Sequence, residues 1–411
     1  MIQPSPKHSY DPNPAFDRVI FSYGFRPFFL LSAGYAAFTV LLWAGFWYDF
    51  LALPDAIAVG QWHAHEMIFG FATAALAGFL LTAVPEWTEK PHIMGRKLAA
   101  LVGLWLLGRL GMLFGADVSL VLVIMVNAVF LPVVAFWTLP DIWAERLKRH
   151  RSIAFFLPAL WLTQMAVYSG WLGAAPDWSY DLALRSLNAS LHVFLIGISL
   201  VVTRISMALV PLALEEQNDT TSIFRPIPPR RNLAVSTLII FTLADFFMPQ
   251  NPIAGWIALA AAAAQLDRMA DWHVGRVLLK PYILVIYLSH VWLAIGLAGL
   301  GFDALLGWDY FAASRHALGL GAASLAVVAV FLIAGFRHTG RDVLVRWPHI
   351  LTIILINIAT ALRVFIPPLL PNYYQHAAIG MASVIWALAF AIFLGAFWPI
   401  LTKARPDGAP G

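Results

Sequence analysis

Cysteine is absent from the 411-residue chain. Its absence excludes disulfides, thiolate metal sites and iron–sulfur clusters, and it excludes haem attached covalently through a Cys-x-x-Cys-His motif. A metal ion in this protein must therefore be bound by histidine, methionine, carboxylate or backbone oxygen ligands.

Charged residues are also scarce, at 12% of the chain against about 25% in an average soluble domain. Hydrophobic residues make up 61%, and apolar segments of about twenty residues recur along the whole chain. These features predict an all-α, multi-pass integral membrane protein. Residues 1–20 are polar and lack the apolar core of a cleavable signal peptide, so we expect the first membrane helix to direct insertion.

The apolar segments and the residues that interrupt them predict a bundle of about twelve transmembrane helices. The expected helices cover residues 27–47, 62–84, 98–115, 119–139, 153–173, 186–213, 231–248, 253–270, 279–301, 314–336, 348–366 and 376–399. They leave a tail at 1–26, one helical domain at 27–400 and a second tail at 401–411. Comparison of the two halves reveals no repeat, which argues against transporter folds built from repeated halves.

The formal net charge of +4 is interpreted as a signal of membrane orientation rather than of nucleic-acid binding. With a cytoplasmic amino terminus, most lysines and arginines fall in the two tails and in every second loop, and the opposite loops contain mainly aspartates. The positive-inside rule therefore predicts that both termini are cytoplasmic.

Five arginines lie within or at the edge of predicted helices. Arg109, Arg204 and Arg363 lie deeper, where a buried charge requires a partner such as a carboxylate, a propionate or a backbone carbonyl. Arg185 and Arg315 lie at outer helix ends, where we expect their side chains to reach the membrane surface.

Histidines are concentrated in helices 2, 6, 9 and 10 of this prediction. Imidazole is a common ligand of copper and iron, and facing helices of a bundle are a usual scaffold for such a site. We therefore expect a metal or cofactor site in the outer half of the membrane, with Arg109 as a further cofactor-binding candidate. The candidate metal ligands are His63, His65, His192, His290 and His316. The alternative for each single histidine is a hydrogen-bonded packing role.

In predicted helix 2, a regular α-helical turn places Glu66 and Met67 on the face of His63, whereas His65 points about 200° away. The two histidines are therefore expected to serve different centres. Glu66 is the candidate catalytic residue, either as a proton donor or as a hydrogen-bond acceptor that orients an imidazole.

Three motifs carry a resemblance to a known family. They are Arg26-Pro27-Phe28-Phe29-Leu30-Leu31, Trp62-His63-Ala64-His65-Glu66-Met67-Ile68-Phe69-Gly70-Phe71 and Ala77-Gly78-Phe79-Leu80-Leu81-Thr82-Ala83-Val84-Pro85. The chain resembles the NnrS family of bacterial membrane proteins, and shorter matches such as His316-Ala317-Leu318 follow in the right order. The segments after His192 and His316 depart from the family pattern, which indicates a divergent member.

The resemblance implies a haem- and copper-containing protein of the bacterial inner membrane that is associated with nitric oxide, denitrification and the relief of nitrosative stress. A quinol or a periplasmic carrier is the expected electron donor. The residues carried over are His63, His65, Glu66, His290, His316 and His338. The predicted topology places His338 at the cytoplasmic end, away from the others.

The sequence is also compatible with two other classes of function. One is a transporter for a metal, haem or a small anion, and the other is a subunit that assembles a cofactor into another complex. Haem–copper oxidases and nitric oxide reductases also have twelve helices, but this chain lacks their adjacent His-His pair and their His-Pro-Glu-Val-Tyr stretch. The sequence does not decide whether nitric oxide is turned over or only bound.

Overall fold

The computed structural model describes residues 19–145, 150–173, 181–219, 221, 222, 224, 226–272 and 274–409. Helices joined by short connections form this part of the chain, and it contains no β-strand. Most of the predicted amino-terminal tail lies outside the described residues, as do some of the basic loop residues, such as Arg149 and Arg225.

The helices are numbered in chain order. They are α1 (Phe25–Trp47), α2 (Val59–Thr88), α3 (95–115), α4 (Ala116–Ala144), α5 (Arg151–Trp171), α6 (Leu182–Glu216), α7 (Pro228–Phe247), α8 (Pro252–Met269), α9 (Pro281–Leu306), α10 (Phe311–His338), α11 (Trp347–Leu369) and α12 (Pro371–Thr402).

Nine helical segments of the described chain are long and apolar enough to cross a membrane. This confirms an all-helical, multi-pass membrane protein. α3 and α4 together form one of the nine segments. Ser119 has non-helical backbone angles and marks a kink between them. The two helices pack against each other, because the Asn127 side chain of α4 donates a hydrogen bond to the Gly108 carbonyl of α3. α7 and α8 are not among the nine, so the count of twelve crossings and the side of each terminus stay predictions.

The helices fall into three groups of four, at residues 25–144, 151–269 and 281–402. The fourth helix of each group packs against the first helix of the next: α4 on α5, α8 on α9, and α12 on α1. The second helices α2, α6 and α10 contact one another at the centre of this ring. The packing arrangement of four helices therefore occurs three times along the chain. A comparison of the two halves of the sequence cannot reveal a repeat of this kind.

Each second helix contains a short motif in which a histidine is followed five residues later by a glycine. The pairs are His65 and Gly70, His192 and Gly197, and His316 and Gly321. Each glycine packs against an aromatic ring of the first helix in its own group, and a Cβ atom at the glycine would approach that ring to 2.5–2.6 Å. The rings are those of Tyr35, Phe156 and Trp292. Only glycine permits this close contact between the first and second helices.

Two of the three second helices contain a π-helical segment directly after the histidine. These segments are Glu66–Ala72 in α2 and Ala317–Ala323 in α10. Further π-helical turns occur at Gly111–Gly115 in α3 and at Tyr374–Met381 in α12. All four lie at the end of the bundle where α2, α6 and α10 begin, which we call the histidine end. Because π-helical turns are rare and often occur at functional sites, the histidine end is the candidate location of the functional site.

Candidate functional site

Polar side chains at the histidine end form three pockets around the central helices. Each pocket combines residues of the second and third helices of one group with residues of the next group. The first pocket contains Glu66, His65, Arg109, Tyr35 and Tyr168. The second contains His192, Asp245 and Arg315. The third contains His63, His316, Arg363, Trp43 and Tyr374.

Glu66 is fully buried in the first pocket and accepts several hydrogen bonds. Arg109 donates from Nη1 to Glu66 Oε1 at 2.7 Å, and the Tyr35 hydroxyl donates to Oε2. The second amino group of Arg109 donates to the amide oxygen of Asn127. Glu66 is therefore the carboxylate partner that a buried Arg109 requires, and the pair joins α2 to α3.

His65 extends this network toward α5. Its Nδ1 donates to Glu66 Oε1 at 2.7 Å, and its Nε2 accepts a hydrogen bond from the Tyr168 hydroxyl at 3.0 Å. Both ring nitrogens are thus engaged in a neutral imidazole protonated at Nδ1. A metal ion at His65 would have to replace Tyr168, so the metal role of His65 stays a prediction, as does proton delivery by Glu66.

In the second pocket, Arg315 of α10 bridges two residues of the preceding group. Its Nη1 donates to His192 Nε2 at 2.6 Å, and its Nη2 donates to Asp245 Oδ2 at 2.5 Å. Arg315 is only 9% exposed, so the expectation that it reaches the membrane surface is wrong. The carboxylate of Asp245 holds the guanidinium inside the bundle because the pair is cheaper to bury than a lone charge.

The third pocket holds two facing imidazoles. The ring centroids of His63 and His316 are 6.4 Å apart with an interplanar angle of 18°, and Trp43 stacks on His63 at 4.3 Å. His316 donates from Nδ1 to the Ala312 carbonyl at 2.7 Å, which leaves the lone pair of Nε2 free. His63 Nδ1 is buried without a hydrogen-bond partner in the described chain. The third pocket therefore brings two imidazole rings close together, and one of their nitrogen atoms has no hydrogen-bond partner among the described residues.

Arg363 of α11 lies beside this histidine pair. Its side chain acts electrostatically on both imidazoles, and its Nη2 donates to the Tyr374 hydroxyl at 3.3 Å. The Nη1 atom is buried with no hydrogen-bond partner among the described residues. The third pocket therefore contains a cation that forms no ion pair with a carboxylate of the described residues.

His290 occupies a different environment on α9. Its Nδ1 donates to the carbonyl of Ile286 at 2.9 Å, and its ring lies beside Trp272. Of the five predicted ligands the structure brings His63 and His316 together, whereas His65, His192 and His290 each have other partners. No group of three His, Asp or Glu side chains in the described chain is arranged to hold a metal ion. The metal roles of His192 and His290 stay predictions.

Glu66 does not share the site of His63, in contrast to the prediction from a regular helical turn. The π-helical segment begins at Glu66 and has more residues per turn than an α-helix, so sequence spacing no longer gives the direction of the side chain. Glu66 contacts His65 and Arg109, while His63 faces Trp43 and His316. The separation of His63 from His65 was correctly expected.

A central apolar cavity of about 50 Å³ lies between α2, α5, α6 and α10. Its lining is apolar throughout and includes Leu76, Phe156, Val201 and Val327. A cavity of this kind lacks hydrogen-bond partners for water, and comparable cavities take up apolar guests such as xenon. It provides an apolar space where the three second helices meet.

A family model described as NnrS protein matches residues 19–405, nearly the whole chain. The chain belongs to the NnrS family. No curated protein matches it significantly. The resemblance of the motifs is thus confirmed, and family membership makes this a nitric-oxide-related membrane protein at the level of the family.

Not every NnrS motif in this chain contributes to the pockets. In the first motif, the fully buried Arg26 donates from Nη1 to the carbonyls of Leu401 at 2.7 Å and Lys403 at 3.0 Å. The backbone amide of Phe25 donates to Thr82 Oγ1 of the third motif at 3.0 Å. These contacts join α1 to α12 and α2, so this part of the NnrS pattern closes the ring of helices at the opposite end.

Several pocket residues were missed by sequence reasoning. Asp245 and Asn127 are single polar residues in apolar helices, and such residues are a signal for buried partners in a membrane. Tyr35, Tyr168 and Trp43 carry no comparable signal, because aromatic residues are frequent throughout this chain. His338 Nδ1 lies 2.8 Å from Glu86 Oε1, separate from the three pockets.

Proposed function

We propose that this NnrS protein binds nitric oxide at a metal centre beside His63 and His316, which would be either a copper ion bound by both imidazoles or a haem iron bound by one of them. The observation that carries the proposal is the close pair of half-buried imidazoles, of which His63 Nδ1 has no hydrogen-bond partner among the described residues. We place this site in the outer half of the bacterial inner membrane, in a chain that crosses twelve times with both termini in the cytoplasm.

The spacing of the pair fits one metal ion. The ring centroids of His63 and His316 are 6.4 Å apart, so both imidazoles would be within reach of a single ion after a small adjustment of the side chains. Two neutral imidazoles suit copper or haem iron, and the cysteine-free chain offers no thiolate competitor.

When bound, iron or copper supplies the coordination position at which nitric oxide binds. The residues of the chain prepare that position. Trp43 stacks on His63 and holds its ring, and the Ala312 carbonyl fixes the tautomer of His316 so that Nε2 is the free nitrogen. The central apolar cavity offers uncharged nitric oxide a dry space within the same bundle.

If a quinol or a periplasmic carrier reduces nitric oxide, the Glu66 network would relay a proton within the first pocket. His65 connects the Glu66 carboxylate to the Tyr168 hydroxyl through two hydrogen bonds, so a proton can pass along the imidazole between its two nitrogens. In this proposal Glu66 and His65 act on protons and do not bind the metal.

The proposal is tested by metal analysis of purified single variants. We expect wild-type protein to contain iron or copper at near one equivalent, and we expect His63→Ala and His316→Ala to lose it. His376→Ala is the control, because His376 is an exposed histidine at the same end of the bundle.

Full metal content in both ligand variants would contradict the proposal. A wild-type protein without metal would favour the transporter or assembly alternatives, which flux measurements in liposomes and co-purification would then separate.

A further inference from the structure

The three pockets correspond to one another through the threefold arrangement of the helices. Each third helix carries a charged residue near its end at the histidine end: Arg109 in α3, Asp245 in α7 and Arg363 in α11. Each of these residues approaches a histidine-bearing second helix. The pockets can therefore be compared by the charges that they bury.

Two of the pockets contain a balanced ion pair. Arg109 is paired with Glu66 at 2.7 Å, and Arg315 is paired with Asp245 at 2.5 Å. A buried guanidinium is costly without such a carboxylate, and its planar shape suits two parallel hydrogen bonds to one. The same requirement applies to any arginine buried at this depth.

The third pocket has an arginine that no carboxylate of the described residues pairs with. Arg363 is 7% exposed, its Nη2 donates to the hydroxyl of Tyr374 at 3.3 Å, and its Nη1 has no partner in that part of the chain. The two imidazoles beside it supply no negative charge. His63 contributes a second unsatisfied buried atom, its Nδ1, to the same pocket.

We infer that the third pocket binds a planar oxyanion, in which a carboxylate or nitrite group supplies the negative charge that Glu66 and Asp245 supply in the other two pockets. The guanidinium of Arg363 would donate two hydrogen bonds to the anion's oxygens, and the hydroxyl of Tyr374 lies within reach. The inference deepens the proposed function, because His63 and His316 border the same pocket. The oxyanion has two sources, a haem propionate or free nitrite.

The first arm of the test measures nitrite binding by calorimetry to metal-free protein in detergent. We expect wild-type protein to bind nitrite and Arg363→Gln to raise the Kd about tenfold or more. Arg363→Lys keeps the positive charge but lacks the planar guanidinium, so its Kd for nitrite should lie between those of the wild-type protein and Arg363→Gln. Arg185→Gln is the matched control, since Arg185 is a half-buried arginine in the first turn of α6 at the same end, and it should bind as wild type does.

The second arm compares haem with its dimethyl ester, in which both propionates are uncharged. If the anion is a propionate, wild-type protein binds haem more tightly than the ester, and Arg363→Gln removes the difference. The inference is overturned if the wild-type protein binds neither nitrite nor haem in preference to the ester, or if folded Arg363→Gln matches wild type in both arms.

Copper binding by the same preparations reports separately on His63 and His316. Anion binding without copper binding would therefore contradict the proposed metal site alone, and copper binding without anion binding would contradict the anion site alone. Thermal unfolding of Arg363→Gln shows that the variant is folded before either arm is interpreted.

Discussion

At the scale of single residues, the histidine end buries two arginine–carboxylate pairs, whereas no carboxylate of the described residues forms an ion pair with the buried Arg363. Arg109 and Glu66 join α2 to α3, and Arg315 and Asp245 join α10 to α7. These pairs hold the second helices in position around the histidines. The contribution of each pair to the free energy of unfolding can be measured by replacing one partner at a time.

Glu66→Gln should destabilise the protein strongly, because it leaves the guanidinium of Arg109 buried without a counter-charge. Removal of one partner of a buried pair costs about 3–5 kcal/mol. We expect the double variant Glu66→Gln, Arg109→Gln to be less destabilised than the sum of the single variants, as judged by denaturant unfolding in detergent. Asp407→Asn, which removes one partner of an exposed pair with Arg405, should leave the stability close to that of the wild-type protein. Additive effects of Glu66→Gln and Arg109→Gln would contradict the pairing.

At the scale of helices, the glycine of each histidine–glycine motif sets how closely the first and second helices approach. Gly321 and Gly319 lie in the same π-helical segment of α10 but differ in their surroundings. A Cβ atom at Gly321 would come to 2.6 Å from the Trp292 ring, whereas a Cβ atom at Gly319 would meet only Leu191 at 3.9 Å.

Gly321→Ala should therefore destabilise the protein by about 1–3 kcal/mol through overpacking, because the indole of Trp292 cannot move aside easily. Gly319→Ala is the matched control and should change the unfolding free energy by less than about 0.5 kcal/mol. Thermal unfolding followed by tryptophan fluorescence compares the two variants. Equal stability of both variants would mean that the contact with Trp292 does not constrain the helices.

The helices themselves could be predicted from the sequence, since each expected apolar segment overlaps a helix of the structure. Their side-chain directions could not be predicted at the histidine end. The direction of Glu66 depends on a π-helical segment, which has no recognisable sequence signal. The pairing of His63 with His316 depends on the contact of α2 with α10, which are far apart in sequence.

At the scale of the whole molecule, three groups of four helices form a ring with the second helices at its centre. This arrangement brings His63 and His316 together from the first and third groups, and in one of the three pockets no carboxylate of the described residues pairs with the arginine. It also places the central apolar cavity between helices of all three groups. The membrane orientation of this ring stays a prediction from the distribution of lysine and arginine.

The predicted orientation can be tested with single cysteines, because the natural chain contains none. We expect Phe50→Cys, between α1 and α2, to react with a membrane-impermeant maleimide in spheroplasts. Lys90→Cys and Pro406→Cys should react only after the membrane is opened. All three positions are exposed, so a lack of labelling would not reflect burial. The reversed pattern would place both termini outside.

The most direct test of the central claim is the absorption spectrum and metal content of purified wild-type protein, oxidised and reduced, before and after nitric oxide. We predict iron or copper at near one equivalent and, for a haem centre, a Soret band that shifts when the gas is added. For a copper centre, we predict an electron paramagnetic resonance signal in the oxidised protein that nitric oxide changes. A protein that contains no metal, or whose metal signals do not respond to nitric oxide, would contradict the account.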